Sequence, residues 1–110
     1  MPTATANLVE SLGDLIELVN EIRIEFGGTH KLNKTKLDGV YNELRLIHRE
    51  AKASAPPVFA RKIAEAQAAI TFIKSKKDVK DIETLFGKLL QHLNTAIALL
   101  GTKKQVRKAA

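Results

Sequence analysis

The stretch LVESLGDLIELVNEIRIEFGG, residues 8–28, states the rule that the rest of the chain repeats. Its apolar residues Leu8, Leu12, Leu15, Val19, Ile22 and Phe26 are separated by steps of 4, 3, 4, 3 and 4. Residues three and four apart share one face of an α-helix, so this spacing predicts an amphipathic helix with a heptad stripe. Gly27-Gly28 then predicts its stop, because glycine readily takes the left-handed conformation of a C-cap. Thr3 or Thr5 is a candidate cap at the start, and Glu10 and Asp14 suit the positive N-terminal end of a helix.

Three further stretches follow the same rule. Leu37, Val40, Leu44, Ile47 and Ala51 step by 3, 4, 3 and 4, and Thr35 with Asp38 approximates a capping box. Gly39 inside this stretch is unfavourable for a helix, and close approach of a neighbouring helix is the expected reason. Pro56-Pro57 ends the second stretch and fits the first turn of the third, since proline disfavours helix in the residue before it. Phe59, Ile63, Ala66, Ile70 and Ile73 carry the third stripe. Ala60, Ala64, Ala68 and Ala69 make that helix thin, so it is expected at the centre of the packing. After Lys76-Lys77, Asp78 is placed to cap a fourth helix. Its stripe reads Ile82, Leu85, Leu89, Leu93, Ala96 and Leu100, with Phe86, Leu90 and Ile97 alongside, and Gly101 is the expected end.

Four striped helices on short connections predict an all-α fold, an antiparallel up-down-up-down four-helix bundle. No segment alternates with the period of a strand. Residues 1–101 form the single bundle domain, and residues 102–110 are expected to be a basic, flexible tail. Stripes of three to four heptads suit a closed monomer better than an extended coiled coil.

Composition narrows the functional classes. The 110 residues suffice for one core without staples. The absence of cysteine removes disulfides, thiolate metal sites and cysteine nucleophiles. The longest uncharged run, Leu89 to Thr102, is 14 residues, whereas a membrane span needs about 20 mostly apolar ones. Met1-Pro2-Thr3-Ala4 has neither the basic segment nor the apolar run of a secretory signal, so a cytoplasmic location is expected. Net charge is +6, unevenly placed. Residues 1–55 hold seven bases against eight acids, and residues 56–110 hold eleven against four. Such a basic half favours anionic lipid, nucleic acid or an acidic protein face.

Catalytic signatures are lacking. His30, His48 and His92 do not share a helix face at metal-ligand spacing, so neither a metal site nor a cofactor is expected. His48, with Arg49 and Lys52 nearby, has the ingredients of a phosphorelay histidine, but the spacing departs from that pattern and a helix-edge histidine is the simpler reading. Glu17 and Glu21 lie off the apolar stripe, as solvated residues do. Gly27-Gly28-Thr29 lacks the Gly-Lys-Thr that would follow in a phosphate loop. Lys74, Lys76, Lys77 and Lys80 crowd the third connection, and Lys103, Lys104, Arg107 and Lys108 the tail, at opposite ends of the fourth helix. No aromatic residue interleaves with these cations, so nucleic acid is an unlikely partner and an anionic membrane surface is at least as good a match, while a solvated face and a loose tail are the simplest reading.

The residues Leu37, Val40-Tyr41 and Leu44, the turn Ser54-Ala55-Pro56-Pro57-Val58, then Arg61, Glu65 and Ile70, and the run Leu85, Leu89, Leu93, Ile97 carry a family likeness. Across residues 35–97 the chain resembles the immunity proteins of pediocin-like (class IIa) bacteriocins, of the enterocin A type. The resemblance implies a non-enzymatic cytosolic bundle of lactic acid bacteria. It implies protection of the producer cell from its own pore-forming peptide. The implied partner is the membrane permease of the mannose phosphotransferase system with bound bacteriocin, met from the inner face of the membrane. Specificity in this family is associated with the C-terminal half, so Lys103, Lys104, Arg107 and Lys108 are the candidate partner-binding residues. The alternatives are a phosphotransfer protein using His48, a nucleic-acid-binding accessory protein, and a structural bundle within a larger assembly.

Overall fold

The computed structural model describes the backbone of residues 2–55 and 57–109 and the side chains of residues 8–52, 55 and 57–100. It contains α1 (Pro2–Thr29), α2 (Lys34–Ser54), α3 (Pro57–Ser75) and α4 (Val79–Ala109), with no strand among the described residues. The protein is therefore all-α, a four-helix bundle. The candidate caps Thr3 and Thr5 lie outside the residues whose side chains are described.

The helix ends differ from expectation in three places. Gly27 and Gly28 lie inside the last turn of α1, and neither takes positive φ. The left-handed residue is His30, at φ 58°. Its N–H donates to the Phe26 carbonyl at 2.7 Å, and its ring meets the Phe26 ring edge-on with centroids 6.2 Å apart. That bond and that ring contact satisfy a free carbonyl and seal the helix end, which is the task expected of glycine. The start of α2 is held by Asn33 instead of Thr35: its Oδ1 accepts from the Lys36 N–H at 3.0 Å. At the other end of the chain, α4 continues through Gly101 to Ala109. A lone glycine costs a helix only about 1 kcal/mol, and no proline follows to stop it.

The other ends match. Ala55 is extended (φ −129°, ψ 162°), as a residue before proline must be, and its N–H donates to Ala51. Pro57 opens α3. The Asp78 carboxylate accepts from the Lys80 N–H at 2.9 Å and so caps α4.

The stripes of α1, α2 and α3 are buried as read, with Ala69 added in α3. In α4 the stripe is Ile82, Phe86, Leu89, Leu93 and Ala96; Phe86 is fully buried and Leu85 half-buried. Choosing Phe86 restores the 4, 3, 4, 3 alternation that keeps one face inward, whereas Leu85 imposes two successive steps of four. No described polar or charged side chain is buried. The core is thus held by hydrophobic burial, at about 1.5–3 kcal/mol for each large apolar side chain.

Each helix packs against two others, α1 on α2 and α4, and α3 on α2 and α4; neither diagonal pair brings its backbones within 8 Å among the described residues. Alanine-rich α3 is one side of a four-helix ring, and it is the helix packed most extensively against its two neighbours, as its small residues lead one to expect. Ala64 and Ala68 face solvent, so the thinness of α3 there admits no further helix. Gly39 is also exposed, and a Cβ built on it meets nothing within 4 Å, so no close helix approach accounts for it. The long dimension of the molecule, 43 Å, is close to the length of the 28-residue α1, about 42 Å. Two contacts fit the antiparallel order. Phe26 near the end of α1 meets Phe86 near the start of α4, with centroids 6.2 Å apart. Asp38 near the start of α2 is paired with Lys74 in the last turn of α3.

Candidate docking surface

Those two contacts gather four helix ends at one end of the ring: the last turns of α1 and α3 and the first turns of α2 and α4. The connection between α1 and α2, and the one between α3 and α4, therefore share that end. Lys31 lies in the first, with Lys34 and Lys36 in the opening turn of α2; Lys76 and Lys77 lie in the second, with Lys80 in the opening turn of α4. All six are exposed, and none forms an ion pair with a described residue. Reading the sequence singled out only the cations of the third connection. The signal for the others was present, because an up-down-up-down order always places the first and third connections together.

Two grooves run from this end. Between α2 and α3 the groove encloses about 430 Å³, lined by Tyr41, Asn42 and Thr71, and the Asp38–Lys74 ion pair lies within it. Between α3 and α4 a second groove of about 510 Å³ has Ala68, Phe72 and Leu85 as its apolar lining and Lys76 and Lys88 as its cations. Phe72 is 55% exposed there. It falls outside the stripe Phe59–Ile63–Ala66–Ile70–Ile73, so helix geometry turns it away from the core.

At the far end of the second groove Glu65 joins two helices. Its carboxylate accepts from Lys62 Nζ at 3.1 Å within α3 and lies 3.4 Å from His92 Nδ1 on α4. The Lys62 hydrogen bond, aided by the charges of Lys62, His92 and Arg61, holds the Glu65 carboxyl below its ordinary range against the opposing effect of partial burial. His92 thus has a carboxylate partner that the sequence could not show, since the pairing depends on the register of α3 against α4.

The remaining sequence candidates are scattered. His48 is half-buried at the edge of the α2 stripe, and His30 terminates α1. Glu17 and Glu21 are exposed. No group of three His, Cys, Asp or Glu among the described residues could hold a metal ion. No helix of the described residues is long and apolar enough to cross a membrane. The tail residues Lys103, Lys104, Arg107 and Lys108 lie outside the residues whose side chains are described.

The described residues form a helical bundle with an apolar core, a cationic end and a groove beside it. Compared with known proteins, the chain matches no family model, no curated protein and no solved structure.

Proposed function

We propose that this chain is an immunity protein against a pediocin-like bacteriocin. It works without transforming a substrate, by docking from the cytosolic side on the complex of bacteriocin and mannose phosphotransferase permease and keeping the pore shut. One observation carries the reading: a four-helix bundle whose described core holds no polar group, so that its polar and charged groups are available to meet a partner. This is the architecture that the resemblance over residues 35–97 implies. The basic residues Lys103, Lys104, Arg107 and Lys108 are the proposed contact to the complex.

The test is survival. A strain sensitive to a pediocin-like peptide, expressing the full chain in its cytosol, should grow at peptide doses that kill the same strain carrying an empty vector. Neutralising the four tail cations to Gln should abolish protection without moving the thermal midpoint. Killing at the vector dose, across a panel of pediocin-like peptides, refutes the proposal.

A further inference from the structure

We propose that the end of the bundle formed by the α1–α2 and α3–α4 connections is a lipid-docking surface for anionic headgroups, with the Phe72 ring entering the headgroup layer. The inference stands apart from the tail contact proposed above: the face it names lies at the other end of α4, so a bundle docked through it carries the tail away from the bilayer.

Three features converge on this end. Lys31, Lys34, Lys36, Lys76, Lys77 and Lys80 are exposed and engaged by no described acid. The acids there are Glu25, Asp38, Asp78, Asp81 and Glu83. Asp38 is neutralised by Lys74, and the Asp78 carboxylate is turned to the Lys80 amide as a helix cap. Six lysines against Glu25, Asp78, Asp81 and Glu83 leave this end with a net charge of about +2. An anionic bilayer surface attracts each such cation, and the attraction adds across a cluster.

The second feature is apolar. Phe72 is 55% exposed in a groove shared with Ala68 and Leu85, between Lys76 and Lys88. A large exposed apolar side chain with lysines beside it is the pattern of groups that sit at the boundary of headgroups and acyl chains. Nucleic acid fits less well, because a strand reader stacks successive bases on several aromatic rings and this groove offers one.

The third feature is rigidity. Lys34, Lys36 and Lys80 stand on helix starts, and Lys31, Lys76 and Lys77 on short connections, bounded by the Asn33 cap, the Asp78 cap and the His30–Phe26 closure. Docking this end therefore orders little additional chain.

Cosedimentation of the full-length protein with vesicles tests the idea. Vesicles of equal parts phosphatidylglycerol and phosphatidylcholine should retain the protein at low salt and release it at high salt. Pure phosphatidylcholine should retain none. Replacing Lys31, Lys34 and Lys36 together by Gln should weaken binding about a hundredfold. Phe72→Ser should weaken it about tenfold with an unchanged helical spectrum and thermal midpoint, because the ring lies outside the core. Replacing Lys103, Lys104, Arg107 and Lys108 by Gln should leave most of the binding. Equal binding to the neutral vesicles, undiminished binding by the lysine or Phe72 variants, or loss confined to the tail variant overturns the proposal. So does salt-sensitive binding to duplex DNA with none to either vesicle. Vesicle binding is read without any bacteriocin, so it stands or falls separately from the survival assay.

Discussion

Gly39→Ala gives the sharpest test of the packing. The residue lies in the second turn of α2, exposed, without positive φ, and a Cβ there meets nothing within 4 Å. The added methyl therefore neither clashes nor fills a gap, and what remains is intrinsic helix preference. Alanine exceeds glycine in a helix interior by about 0.5–1 kcal/mol, largely by reducing the freedom of the unfolded chain. Unfolding entropy for a chain of this size makes 1 kcal/mol worth about 4 °C, so the midpoint should rise by about 2–4 °C. Gly13 in α1 and Gly87 in α4 have equally open surroundings and stand on different helices. The triple alanine variant should gain about 1.5–3 kcal/mol, since changes at separate sites add. Thermal melts followed by circular dichroism, with urea titrations to check that the slope is unchanged, decide the matter. A fall in stability on Gly39→Ala would show a helix packed close against that backbone and refute the arrangement described.

Phe86→Ala should cost about 3–5 kcal/mol in a urea titration and Leu85→Ala less than half of that, because only Phe86 is fully buried; the reverse order would restore the stripe through Leu85. Asn33→Ala should cost about 1 kcal/mol, as loss of an N-cap does, whereas Thr35→Ala should stay within about 0.5 kcal/mol. Glu65 has a lowered folded-state pKa, so its contribution is present above its ordinary value of 4.5 and is lost as pH falls through the folded value. Stability curves of the wild type and Glu65→Gln should therefore differ at neutral pH and converge on the acid side; a difference that persists in acid would contradict the Lys62 and His92 contacts.

The heptad steps made the fold legible. A stripe such as Leu8–Leu12–Leu15–Val19–Ile22–Phe26 has one way to hide from water, and the structure buries all of it. Proline was equally legible, because its effect on Ala55 is steric and local. Glycine was not. Gly27, Gly28 and Gly101 permit a helix to end without compelling it, and the ends were decided by the Phe26–His30 contact and by the absence of any competing stop. Leu85 and Phe86 are adjacent and both apolar, so only strict alternation across the whole of α4 separates them. The site was legible in part. Lysines near Lys76 announce themselves in one dimension, but their meeting with Lys31, Lys34 and Lys36 is a property of topology. The Glu65–His92 contact depends on how two helices slide against each other, which no single stretch of sequence encodes.

Ion leakage from living cells reaches the proposed function most directly. Sensitive cells expressing the chain are exposed to a pediocin-like peptide, and potassium efflux is followed from the first seconds. The account expects the peptide to bind as usual while efflux stays at the level of untreated cells. Efflux as fast as in cells without the chain, for every such peptide tried, would contradict it.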